Sequence, residues 1–121
     1  MKKILFIEDE SALQKALSEM LQETGYENIQ ALDGETGLRM AKSGHPDLIL
    51  LDLILPKKDG FMVLEELKKD PDTQDIPVLV LSNLERAEDI ERAMSLGAKS
   101  YMVKTDYKIS EVINKIREVL G

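Results

Sequence analysis

The chain has 121 residues, no cysteine, 43% hydrophobic and 32% charged residues. That suits one domain with a core of its own, and it excludes disulfides and thiolate metal sites. A net charge of −7 repels a phosphate backbone, so direct binding of nucleic acid is not expected. The longest apolar run is far too short for a bilayer, and the basic start Met1-Lys2-Lys3 meets acids too soon for a signal peptide. The expectation is a cytoplasmic protein with no membrane contact.

Strand-like and helix-like stretches alternate five times. Residues 2–7, two lysines followed by the apolar Ile4-Leu5-Phe6-Ile7, lead into Glu8-Asp9-Glu10. Leu13, Ala16, Leu17, Met20 and Leu21 mark one face of a helix that closes near Gly25. A mixed strand, residues 27–31, leads to Asp33-Gly34 and a second helix carried by Leu38 and Ala41, which stops before Gly44-His45-Pro46. Asp52 closes the short apolar run that starts at Asp47, as in a strand buried on both faces. Asp59-Gly60 opens a third helix with Phe61, Leu64 and Leu67 inward, ended by Asp70-Pro71. Residues 78–81 run into Ser82, and Asn83 is the expected N-cap of a fourth helix with Ile90, Ala93 and Met94 inward and Gly97 at its close. Residues 101–103 run into Lys104, and Ile109, Val112, Ile113, Ile116, Val119 and Leu120 stripe the last helix.

This (βα)5 alternation predicts an α/β fold, a doubly wound parallel sheet of the flavodoxin-like kind, as one domain over residues 1–121. The first, third and fourth strands are apolar throughout and belong in the middle; the mixed second and fifth suit the edges. Order 2-1-3-4-5 satisfies this and sets the first and third strands side by side at the topological switch point. Glu8, Asp9, Asp52, Ser82 and Lys104 then share the carboxyl edge of the sheet.

Taken singly, each of these residues has an ordinary explanation: an Asp at a strand end caps or turns, a Ser caps a helix, a Lys is a surface cation. Together they crowd carboxylates around one lysine, an arrangement that a cation relieves. Oxygen donors without His or Cys favour a hard ion, and Mg2+ takes one or two carboxylates while keeping waters and phosphate oxygens. A carboxylate beside Mg2+, with a hydroxyl and a lysine opposite, suits phosphoryl transfer onto the carboxylate.

The motifs Ile7-Glu8-Asp9-Glu10, Leu50-Leu51-Asp52-Leu53-Ile54-Leu55-Pro56-Lys57-Lys58-Asp59-Gly60, Leu81-Ser82 and Gly97-Ala98-Lys99-Ser100-Tyr101-Met102-Val103-Lys104 resemble those of the receiver domains of two-component response regulators, single-domain chemotaxis-type regulators included. The resemblance covers the whole sequence. It implies that Asp52 accepts phosphate from a histidine kinase or histidine phosphotransfer protein. Asp9 would be a direct metal ligand, Glu8 would act through metal-bound water, and Ile54 would lend its backbone carbonyl. Ser82 and Lys104 would grip the phosphoryl oxygens, and Tyr101 would turn inward on activation. Partner or homodimer contacts are expected on the face of the fourth helix, fifth strand and fifth helix.

Three residues depart from the family pattern. Glu8 stands where Asp is common, Asn83 replaces a small residue after the hydroxyl, and Thr105 stands where many members have proline. A non-proline cis bond costs about 2.5–4 kcal/mol, so the isomer at Lys104–Thr105 stays open. The expected protein is a switch that catalyses only its own phosphorylation and dephosphorylation. One alternative is a haloacid-dehalogenase-like phosphatase, but Ile54 stands where its second acid would be. A flavodoxin-like cofactor binder needs a phosphate loop where this chain has Glu-Asp-Glu-Ser. The third alternative is a receiver-like scaffold that is never phosphorylated.

Overall fold

The computed structural model describes residues 1–121. Five strands and five helices alternate: β1 (Lys3–Ile7), α1 (Ser11–Thr24), β2 (Glu27–Ala31), α2 (Gly34–Gly44), β3 (Leu48–Leu51), α3 (Gly60–Lys69), β4 (Val78–Ser82), α4 (Ala87–Ser95), β5 (Ser100–Val103) and α5 (Ile109–Leu120). All pairings are parallel, and the strand order is β2-β1-β3-β4-β5. The expected sheet order is borne out, with the apolar strands central and the mixed strands at the edges.

Alternating residues of the central strands feed two cores. Leu5, Ile7, Ile49, Leu51, Val78 and Val80 face Leu38, Ala41, Leu64, Leu67 and Ala93 of α2, α3 and α4. Ile4, Phe6, Leu48, Leu50, Leu79 and Leu81 face Leu17, Leu21, Val112, Ile113 and Ile116 of α1 and α5. Strands buried on both faces need no polar alternation, which is why β1, β3 and β4 read as continuous apolar runs.

Helix ends follow local chemistry. The Asp33 and Asp59 side chains accept from the Thr36 and Met62 amides at 2.8 and 3.0 Å and start α2 and α3. Gly25, at φ +94, closes α1 in the left-handed conformation that suits glycine. Helix α2 runs through Gly44 to a left-handed His45 at φ 46, one residue beyond the expected stop.

Two expectations about the fourth helix fail. Asn83 is not its cap: the helix starts at Ala87 after Arg86, which is extended and makes no side-chain cap. The segment between holds Leu84 half-buried against the core, and that anchor postpones the first turn. Met94 is 43% exposed rather than inward. On a helix of nine residues Ala93 alone is fully buried, and its neighbour lies about 100° around the axis. No peptide bond is cis, so Lys104–Thr105 is trans, within a single 3-10 turn over Lys104–Asp106.

Candidate functional site

Parallel strands deliver their carboxyl ends to one edge, and three buried polar residues collect there. Glu8 and Ser82 are 0% exposed and Asp52 is 3% exposed. Asp52 lies one residue beyond β3, its N–H still bonded to the Ile7 carbonyl at 3.0 Å, so its backbone is held by β1. Lys104 reaches in from the turn after β5. Its Nζ lies 3.1 Å from Asp52 Oδ2, 2.6 Å from Glu8 Oε1 and 3.4 Å from Glu10 Oε1.

Asp9 is exposed at the mouth, and the carboxylate oxygens of Glu8, Asp9 and Asp52 lie within 4.8 Å of one another. One ammonium therefore serves several acids. Burial is the largest influence on Glu8 and lifts its carboxyl from 4.5 to about 7; the Asp52 charge adds to the rise, and Lys104 opposes it. Burial by itself would lower Lys104, but its contacts with Glu8 and Asp52 hold it above its ordinary value. Glu8 Oε2 accepts from the Glu10 N–H at 3.1 Å. Glu8 Oε1 is close to Lys104, yet this buried oxygen receives no aligned hydrogen bond. Three clustered acids against one ammonium leave an excess of negative charge, and an all-oxygen donor set matches a hard divalent ion.

The neighbouring backbone also points inward. Ile54 donates its N–H to Asp52 Oδ1 at 3.2 Å, while its side chain is 53% exposed. Ser82 Oγ accepts from the Leu84 N–H at 3.4 Å. Tyr101 is half-buried and donates its hydroxyl to the Leu84 carbonyl at 2.6 Å, so β5 is tied to the loop that follows Ser82. Burial raises the Tyr101 phenol, the Asp89 and Asp52 charges add to this, and the Ser82 hydroxyl offsets it in part.

Close packing fixes the Asp52 loop from below. A Cβ on Gly60 would come within 2.4 Å of the Asp52 carbonyl oxygen and 2.4 Å of Leu53 Cα. Both are backbone atoms, so the loop or the start of α3 must move. Gly60→Ala is expected to destabilise the domain by about 1–3 kcal/mol, read from the urea midpoint at unchanged slope.

The structure thus brings Glu8, Asp9, Asp52, Ile54, Ser82, Lys104 and Tyr101 to the same edge. Sequence reasoning missed Gln14, a buried amide on α1 that contacts the backbone of the acid loop. Its signal was present: a polar residue three and seven positions before the inward Leu17 and Leu21.

A five-stranded 2-1-3-4-5 sheet of this kind, with five helices, is the flavodoxin-like receiver fold. The chain belongs to the response regulator receiver domain family, whose family model matches residues 4–117. The DNA-binding dual master transcriptional regulator RpaA of Synechocystis is 40% identical over 120 residues, covering 99% of this chain and 49% of that protein. The phosphorylated cyanobacterial phytochrome response regulator RcpA shares 36% identity at a TM-score of 0.83, over 98% of this chain and 90% of that one. The Mn(2+)-bound form of the response regulator Rcp1 shares 36% at 0.78, over 86% and 81%. The chain spans about half the length of the curated relatives it matches.

Receiver domains are generally switches rather than turnover enzymes, which sets aside the phosphatase and cofactor-binder alternatives. The expectation of no nucleic-acid contact, drawn from charge, finds no support in a relative named for DNA binding. No helix is long and apolar enough to cross a membrane.

Proposed function

We propose that this domain is a phosphorylation-driven switch acting in the cytoplasm. Asp52 would accept a phosphoryl group from the phosphohistidine of a histidine kinase or a histidine phosphotransfer protein. The observation that carries this is a nearly buried carboxylate held 3.1 Å from Lys104 inside a group of three acids. An Asp52 oxygen attacks phosphorus as the bond to the donor's nitrogen breaks. The bonding pair stays on that nitrogen, and a donor ring already protonated on its other nitrogen leaves as neutral imidazole, with an acyl phosphate on Asp52. Lys104, freed from Asp52, can follow the phosphoryl oxygens, and the Ser82 hydroxyl and the Ile54 N–H supply further donors.

Asp9, Asp52 and the Ile54 carbonyl would hold Mg2+, with Glu8 acting through water. The ion would supply positive charge against the charge of the transferring group. The Mn(2+)-bound state of Rcp1 and the phosphorylated state of RcpA support this reading by likeness. Through Ser82, Leu84 and Tyr101 the event would reach the face built from α4, β5 and α5, where an output partner or a second copy would dock. Incubation with acetyl phosphate and Mg2+, followed by intact mass, tests the reading. An unchanged mass, with or without Mg2+, would overturn it.

The phosphorylated form should be long-lived. Hydrolysis needs a water in line with the Asp52 oxygen, and the apolar side chains of Ile54 and Leu84 cannot orient one. Each orienting contact is worth about tenfold in rate, or 1.4 kcal/mol. Ile54→Asn combined with Leu84→Gln should therefore speed decay by about 10- to 100-fold. Loss of phosphoprotein after removal of the donor, followed on a phosphate-retarding gel, measures it. Equal decay in parent and variant would mean that these side chains do not control the water.

A further inference from the structure

Gln14 occupies a position where the packing of α1 favours an apolar residue. The buried face of that helix is Gln14, Leu17 and Leu21, and Gln14 is only 3% exposed. A buried primary amide is unfavourable unless it is hydrogen-bonded. Gln14 Nε2 donates to the Glu8 carbonyl at 2.7 Å and the Ala31 carbonyl at 2.9 Å, with the Phe6 carbonyl at 3.4 Å. The Ala31 carbonyl also accepts the Glu8 N–H at 3.0 Å.

Glu8 is therefore held on both sides. Its N–H is anchored to the end of β2, and its carbonyl is anchored to Gln14, which grips the same β2 carbonyl. The carbonyl of Glu8 belongs to the peptide joining it to Asp9, so fixing that plane fixes where both side chains leave the chain. Glu8 goes inward to Lys104, and Asp9 goes outward to the exposed mouth. The β1–β2 ladder ends with the Glu8 N–H on the Ala31 carbonyl and does not reach the Glu8 carbonyl, which Gln14 holds instead.

We propose that Gln14 is a positioning residue for the acidic site, whose side-chain amide clamps the Glu8–Asp9 peptide and so sets the directions of the two carboxylates toward a divalent cation. The clamp rests on the metal-binding reading above and adds to it a residue that touches neither ion nor phosphoryl group.

Gln14→Leu keeps a comparable volume and removes both donors. Leu17→Val, on the same helix face, perturbs packing without touching the clamp. In metal-free protein, Gln14→Leu should speed amide hydrogen exchange at Glu8 and Glu10 at least tenfold while Ile4, Leu5 and Phe6 stay protected. By calorimetric titration its Kd for Mg2+ should rise about tenfold or more, as for other outer partners of metal ligands. Leu17→Val should do neither. Unchanged Mg2+ affinity in Gln14→Leu, or equal weakening in Leu17→Val, would overturn the positioning role. A parent that takes up no Mg2+ would overturn the metal-binding reading instead, and loop exchange in the metal-free protein then decides the clamp by itself.

Discussion

Asp52→Asn is expected to abolish the gain of one phosphoryl group from acetyl phosphate and Mg2+, and EDTA should abolish it in the parent. The substitution exchanges a carboxylate for an amide of nearly the same shape, so the nucleophilic oxygen is lost while the packing remains. It also removes one of the acids whose charge raises Glu8, which eases the fold rather than straining it. Lost uptake would thus report the nucleophile and not unfolding, and a urea midpoint no lower than the parent's would confirm that. Lys104→Ala should keep Asp52 but slow its phosphorylation by about 100-fold, the scale of losing one donor from a charge-stabilising site. Peptide mapping locates the modified residue. Phosphorylated Asp52→Asn protein at parental yield would refute Asp52 as the acceptor.

The fold was legible wherever burial alone dictates residue type. Leu48, Ile49, Leu50 and Leu51 are all fully buried, and only a central parallel strand leaves so short a run without a polar residue. The polar residues of β2 likewise marked an edge. The fourth helix was misread because Asn83 has the chemistry of a cap, while its position was decided by Leu84, whose half-buried side chain is a tertiary contact. Met94 went wrong for a related reason: the helix is so short that few positions face inward.

The site was legible as a set of residue types at strand ends, but its internal order was not. Nothing in Glu8-Asp9-Glu10 says that Glu8 turns into the protein toward Lys104 while Asp9 stays outside. That division depends on the Glu8 N–H bonded to Ala31 and on Gln14, contacts spanning 23 and 6 residues of sequence. Gln14 offered only its spacing from Leu17 and Leu21, and a glutamine on a helix is ordinary until its burial is known.

In the absence of divalent cation, the domain should lose stability as pH rises from 5 to 8, and Glu8→Gln should largely remove that loss. Glu8 is fully buried and faces Lys104, Asp52 and the Glu10 N–H. Its carboxyl sits at about 7 in the folded chain, against an ordinary 4.5. The folded state therefore binds this proton more tightly than the unfolded state does. Its contribution is fully present below about 4.5 and is lost as pH rises through about 7. The full span corresponds to at most roughly 3 kcal/mol. Lys104 stays charged throughout, since its contacts with Glu8 and Asp52 raise it. Asp33 and Asp70 are lowered by hydrogen bonds from Thr36 and Asp72 amides, so their stabilisation is lost only in acid and leaves this window untouched. A neutral glutamine fills the same space without a charge to bury, so at pH 8 the variant should have the higher urea midpoint, and at pH 5 the gap should close. Mg2+ added to the parent at pH 8 should restore stability, because a cation bound only by the folded state favours the ionised acid. Urea titrations of both proteins at the two pH values decide it: parallel profiles for parent and Glu8→Gln would show that Glu8 is not the group whose ionisation opposes folding.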